Sequence, residues 1–185
     1  ALANKGRKIY LSTGGSTLEE LEKALKLLGK NDIVLMSGFQ AEPNQLADVE
    51  LDKLEYLKAK FNLPVGYADH LDANDELAVH LPAMAVLKGA TVVEKHLTLE
   101  RNTLQLEDCM SALNPSEFMT MMRAIEKVEQ FRYTGTTYSL TEREEGYRMR
   151  AKKAVLSRRA IPAGEKIKGE DLQMLRTGQQ VPKIL

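Results

Sequence analysis

The sequence predicts an α/β fold built around a parallel sheet, and three observations predict it. Short β-rich runs alternate with amphipathic helical stretches four times within the first 132 residues. Helix-start and helix-stop signals punctuate those stretches. The connections between successive strands are long enough to be helical crossovers, which parallel neighbours require.

Taken in order, Lys8-Ile9-Tyr10-Leu11 is the first strand and runs into Ser12-Thr13-Gly14-Gly15. The helix after it opens at Thr17, with Glu20 at capping-box spacing, and sets Leu18, Leu21, Leu25 and Leu28 on one face. Gly29 stops it as a left-handed C-terminal cap. Ile33-Val34-Leu35-Met36 is the second strand. Leu51, Leu54, Leu57 and Phe61 stripe the second helix, which Asn62 and Pro64 close. Val65-Gly66-Tyr67 is the third strand, and a short helix over residues 83–88 ends at Gly89. Thr91 to Lys95 is the fourth strand. Asn114-Pro115-Ser116-Glu117 reads as N-cap, first-turn proline and capping partner. Phe118, Met121, Met122, Ile125 and Val128 stripe the helix it opens.

Two closures suit four βα units: an open doubly wound sheet, or part of a (β/α)8 barrel. A whole barrel takes about 250 residues, more than the 185 of this chain. An open sheet advertises a glycine-rich phosphate loop after its first strand, and Ser12-Thr13-Gly14-Gly15 is a weak version of one. Over residues 133–150 the periodicity fails. We read this stretch as a linker, with a solvated helix equally open for the half containing Glu142, Arg143, Glu144 and Glu145. Residues 152–156 are a strand, Ile161-Pro162-Ala163-Gly164-Glu165 a turn, and Gly169-Glu170-Asp171-Leu172 a helical turn. Residues 151–185 are too few for an independent core.

Composition bounds the function. The chain carries 26 Lys+Arg against 26 Asp+Glu with 43% apolar residues, which argues against disorder. With no basic excess to neutralise phosphates, nucleic acid is not expected as a partner. The apolar runs fall far short of the roughly 20 residues that cross a bilayer, so no membrane is expected either. The single Cys109 and the absence of a signal-like apolar core predict a cytoplasmic protein.

His70 directly follows the third strand and His96 the fourth. Side chains just beyond the carboxyl ends of parallel strands line ligand sites. Two imidazoles there form a candidate divalent-metal pair, with water or substrate oxygens completing the shell; two loop histidines without a joint role is the other reading. Strand alternation puts Glu94 and His96 on one face and points Lys95 the other way. Asp69, Glu94 and Lys95 are candidates for supporting groups, a general base or plain surface charge. Glu107 and Asp108 lie in a long loop after the fourth strand, and solvent exposure alone would also explain them. Cys109 reads as a buried, inert thiol, His80 as helix surface or core, and the methionines Met119, Met121 and Met122 as core or interface.

Several of these segments together resemble one family. Leu11-Ser12-Thr13-Gly14, then Pro64-Val65-Gly66-Tyr67-Ala68-Asp69-His70, then Val93-Glu94-Lys95-His96-Leu97-Thr98-Leu99 are similar in order and spacing to motifs of the N-acetylneuraminate (sialic acid) synthases. Leu113-Asn114-Pro115-Ser116-Glu117-Phe118 resembles the opening of their last barrel helix. Residues 159–178 resemble the start of their carboxyl-terminal antifreeze-like (SAF) domain.

The resemblance implies residues 1–132 as the carboxyl-terminal half of a (β/α)8 TIM-type barrel, 133–150 as a linker and 151–185 as part of a SAF domain. It implies a transferase that condenses phosphoenolpyruvate with N-acetylmannosamine or a related N-acylated sugar, giving a nine-carbon 2-keto acid and phosphate. A divalent ion, Mn2+ or Mg2+, would be held by His70 and His96. Ser12 matches a serine that touches phosphoenolpyruvate, Gln40 an amide near both substrates, and Glu107 or Asp108 an acid that contacts the sugar. With His96, these two acids are the expected catalytic groups. Arg176 matches an arginine that the SAF domain inserts into the partner's site, which implies a domain-swapped homodimer. The chain differs from the family pattern at Ser37-Gly38, Glu42, Asn44, Ala68 and 104–108, differences that bear on the sugar more than on the reaction. The amino-terminal half-barrel that precedes these motifs in the family is not in the sequence, so the chain alone is expected to be inactive. Two alternatives stay open: a non-catalytic sugar-binding or scaffold paralogue, and a metal-dependent aldolase of another substrate.

Overall fold

Four apolar runs become four parallel neighbours in a computed structural model that describes residues 6–40, 44–101, 108–131 and 137–177. The chain divides into two units, Ala1–Arg132 and Tyr133–Leu185. In the first, β1 (Ile9–Ser12), β2 (Ile33–Ser37), β3 (Val65–Asp69) and β4 (Val92–Lys95) lie in sequence order, each parallel to the next. Helices α1 (Leu18–Leu28), α2 (Asp52–Phe61) and α3 (Leu81–Leu87) cross between them, and α4 (Pro115–Phe131) follows the last strand. Among the described residues β1 and β4 each have a strand neighbour on one side only.

The helices form where their caps predict. Thr17 accepts a hydrogen bond from the Glu20 amide while the Glu20 carboxylate accepts one from the Thr17 amide. At α4, Asn114 Oδ1 accepts from the Ser116 and Glu117 amides, and Glu117 Oε2 accepts from the Asn114 amide at 2.8 Å. Each such cap satisfies donors that a helix start leaves open, worth about 0.5–2 kcal/mol. Gly29 ends α1 at φ 62° and ψ −136°. Its φ is positive as expected, but its ψ lies outside the left-handed helical region, in a conformation essentially reserved for glycine. Asn62 takes the left-handed conformation after α2.

The sheet is covered on the helix side by the main core, which gathers Leu21, Leu35, Leu54, Leu57, Val65, Leu81, Leu113 and Met121. Side chains such as Leu35, Leu54 and Leu113, all with no exposed surface, contribute about 1.5–3 kcal/mol each through burial. Val34, Met36 and Ala68, backed by Val92, form a second cluster on the opposite face. Two apolar faces explain why β2 reads as a continuous apolar run rather than an alternating one. Strand β3 extends to Asp69, two residues past its sequence-predicted end, because the charge of Asp69 is neutralised inside the fold by Lys95. On α4, Met121 and Val128 are buried, whereas Met119 and Met122 are exposed, so the apolar stripe is wider than the surface that the helix buries.

In the second unit, α5 (Glu142–Ala151) starts at a capping box between Thr141 and Glu144. The Glu-rich half of residues 133–150 is therefore helical, one of the two readings the sequence left open there. Strands β5 (Ala154–Ser157) and β6 (Leu172–Leu175) pair antiparallel, with Ala154 opposite Leu175. The turn between them is tied by Arg159, which binds Asp171 at 2.8 Å and also pairs with Glu165.

Candidate active site

Strand alternation carries one set of side chains to one face at the carboxyl ends of β1–β4. Tyr10 and Ser12 from β1, Met36 from β2, Ala68 and His70 from β3 and its end, and Glu94 from β4 line a cleft of about 170 Å³ with Gln40. Gln40 reaches this cleft because two glycines let the loops after β1 and β2 pack together. A Cβ on Gly14 would overlap Gln40 and the Gly38 carbonyl oxygen, and a Cβ on Gly38 would overlap the Ala68 carbonyl oxygen. Held there, the Gln40 amide donates to Ser12 Oγ at 3.5 Å.

His70 and His96 meet beside the cleft, their ring centroids 5.2 Å apart and their planes tilted by 51°. His70 is 6% exposed. Burial lowers its pKa first, proximity to His96 lowers it further, and Asp69, Glu94 and Asp108 oppose the shift. An imidazole kept neutral retains a lone pair for a ligand. His96 is more open, with Nε2 3.9 Å from Asp108 Oδ2. Asp108 has φ 66° and caps the short helical turn Cys109–Ser111. That is a left-handed conformation which Asp tolerates better than most residues.

The opposite face of the same strand ends is dry and charged. Lys95 Nζ lies 3.0 Å from Asp69 Oδ2, and neither side chain has exposed surface. Lys95 also donates to the Leu71 carbonyl at 3.1 Å. Asp69 Oδ1 accepts from the Leu71 amide at 3.0 Å and from the Tyr67 hydroxyl at 3.5 Å. Burial and the Asp69 charge hold the Tyr67 phenol far above its ordinary range.

Ser12, Gln40, His70, His96 and Asp108 thus share one end of the sheet. Glu107 lies outside the described residues, as does Glu42. Arg176 belongs to the second unit, exposed beside Leu140, Tyr147, Arg148 and Lys152. Cys109 is buried as a free thiol, and His80 is exposed at the start of α3. Sequence reasoning gave Tyr10 no place in the site and named Asn44 only as a departure from the family pattern. Tyr10 shares the alternation parity of Ser12, a signal that was present. Asn44 is 2% exposed, and its Oδ1 has no hydrogen-bond partner among the described residues. It lines a separate cavity of about 280 Å³ with Thr13, Ser16, Ser37, Lys53 and Tyr67.

Among the described residues, no group of three or more His, Cys, Asp or Glu side chains gathers to hold an ion. The donor set that could hold one is the imidazole pair. A ring nitrogen binds a metal at about 2.1 Å, so two rings on one ion stand with centroids roughly 4.5–5.5 Å apart. The observed 5.2 Å fits that spacing. Among the described residues no helix is long and apolar enough to cross a membrane.

A parallel βα sheet with polar groups converging past its carboxyl strand ends defines the class of α/β proteins that bind ligands at that edge. The NeuB family pattern matches residues 1–137, and the chain belongs to that family. It is 32% identical over 183 residues to an uncharacterized protein of Methanocaldococcus jannaschii, covering 97% of this chain and 52% of that protein. It is 30% identical to an N,N'-diacetyllegionaminic acid synthase of Campylobacter jejuni, covering 89% of this chain and 48% of the synthase. The crystal structure of an N-acetylneuraminic acid synthetase from Leptospira borgpetersenii superposes with a TM-score of 0.67 at 28% identity, over 77% of this chain and 50% of that one. The chain spans about half the length of these relatives.

Proposed function

We propose that this chain carries the metal-binding side of the active site of a sugar-acid synthase. That enzyme condenses phosphoenolpyruvate with an N-acylated sugar of the N-acetylmannosamine type, giving a nine-carbon 2-keto acid and phosphate. The observation that carries this reading is the convergence of His70 and His96 beside Ser12 and Gln40. A divalent ion held by His70 and His96, manganese or magnesium, would polarise the sugar aldehyde and make its carbon electrophilic. Ser12 binds phosphoenolpyruvate and Gln40 contacts both substrates, so that C3 of phosphoenolpyruvate faces that carbon. As the carbon–carbon bond forms, the aldehyde oxygen becomes a hydroxyl by taking a proton. Asp108 or Glu107 contacts the sugar and serves that proton movement. Water then adds at C2 of the former enolpyruvate, and the C2–oxygen bond to phosphate breaks.

In this reading residues 1–132 are the carboxyl-terminal half of a (β/α)8 barrel. The single-sided pairing of β1 and β4 among the described residues supports it, because unpaired edges need partners. Residues 151–185 begin a SAF domain, and Arg176 completes the site of a partner subunit in a domain-swapped homodimer.

The test is phosphate release by the intact protein given Mn2+, phosphoenolpyruvate and a panel of N-acylated sugars. Phosphate released only when one of those sugars is present supports the synthase. Carbon–carbon bond formation from pyruvate without phosphate release makes it an aldolase. Sugar binding without turnover makes it a non-catalytic relative, a reading that Ala68 in the cleft favours because the family has a serine there.

A further inference from the structure

We propose that the buried Asp69–Lys95 ion pair is a positioning device that sets the spacing of His70 and His96. The inference rests on the reading of those histidines as one site and deepens it. Asp69 and Lys95 are register partners across β3 and β4. Each immediately precedes one histidine, so a link between them on the helix side levels the two rings on the other side. Lys95 grips the chain on both sides of His70, through the Asp69 carboxylate at 3.0 Å and the Leu71 carbonyl at 3.1 Å. The Leu71 amide closes back onto Asp69 at 3.0 Å, which fixes the turn that aims His70. A third tether comes from the loop after β2: the Asn44 amide donates to the His70 carbonyl at 2.9 Å, and Asn44 pairs with Leu71 as an isolated parallel bridge. On the other strand, the carbonyl of His96 accepts from the Leu113 amide at 2.9 Å.

Stability does not account for this pair. Removing two charges from water costs about as much as their attraction returns, and an apolar pair of similar volume often packs as well or better. What an apolar pair lacks is direction. The 3.0 Å ion contact, together with the hydrogen bonds from Lys95 to the Leu71 carbonyl and from the Leu71 amide to Asp69 Oδ1, holds two strand ends at one separation and one register, where packed methyl groups tolerate sliding. Lys95 and Asp69 are therefore positioning residues, acting on a ligand through the histidines without touching it.

The double variant Asp69→Leu/Lys95→Met separates the two roles. The pair and its replacement are both neutral overall, so the net charge near a bound cation is unchanged. In the intact protein this variant is expected to melt cooperatively near the wild-type temperature. Two readouts then follow, one of them independent of metal. The first is Mn2+ affinity by electron paramagnetic resonance, expected to weaken about tenfold or more, as outer-shell losses do. The second is the NMR cross-relaxation peak between the two imidazole rings of the metal-free protein, expected in the wild type and lost in the variant. A variant that keeps that peak and binds Mn2+ within about twofold of wild type overturns the proposal. A wild type that binds no Mn2+, but shows a ring–ring peak that the variant loses, leaves the positioning role standing and removes the metal reading. Should the double variant not fold, Asp69→Asn keeps the shape and one acceptor. It is expected to weaken both signals, and unchanged signals there overturn the proposal equally.

Discussion

His70 and His96 stand level at the ends of neighbouring strands, their rings 5.2 Å apart, because Asp69 and Lys95 are paired in register one residue earlier. A whole βα unit of sequence separates the two histidines, and the parallel sheet brings them together.

Removing one charge of that pair should cost far more than removing both. Lys95→Met leaves the Asp69 carboxylate buried without its cation, and a loss of about 3–5 kcal/mol is expected. Adding Asp69→Leu to it should recover most of that loss. Urea unfolding of the three proteins checks the order, and equal stability of the single and double variants would contradict it.

Gly38 is required by its neighbours rather than by its backbone angles. A Cβ there would overlap the carbonyl oxygen of Ala68, which is strand backbone and cannot swing away. Gly38→Ala should destabilise by about 1–3 kcal/mol through overpacking and shift the loop that carries Gln40. A denaturation midpoint equal to that of wild type would show that the loops tolerate separation.

Glu117 supplies a pH-dependent contribution. Its two hydrogen bonds from Arg101, at 2.8 and 2.9 Å, hold its carboxyl below the usual value of 4.5, with burial working the other way. The folded-state pKa is thus below the unfolded one. The contribution is complete above the unfolded value and disappears as pH falls through the folded value. Glu117→Gln should cost about 1–3 kcal/mol near neutral pH, through the weakened cap and the lost Arg101 partner. The gap between wild type and variant should narrow as unfolding is measured below pH 4.5, and a gap independent of pH would refute the assignment.

The elements legible in the sequence are those whose signals are local. Thr17 with Glu20, and Asn114 with Glu117, announced helix starts that form as capping boxes. The alternation of Glu94, Lys95 and His96 correctly sent Lys95 to the face opposite the cleft. Features that depend on register were not legible. The partnership of Asp69 and Lys95 needs the alignment of β3 with β4, and no spacing along the chain reveals it. The helix at Glu142–Ala151 has no buried side chain, so no apolar stripe marked it, and its capping box was the signal overlooked. Asn44 stood out only as a difference from the family pattern, and its burial against Leu71 depends on how two loops meet.

Whether His70 and His96 form one ion site is read from a Mn2+ titration of the intact protein alongside His70→Ala and His96→Ala. A bound ion is expected in the wild type and its loss in both variants, each of which still unfolds cooperatively. Manganese bound equally well by either variant would contradict it.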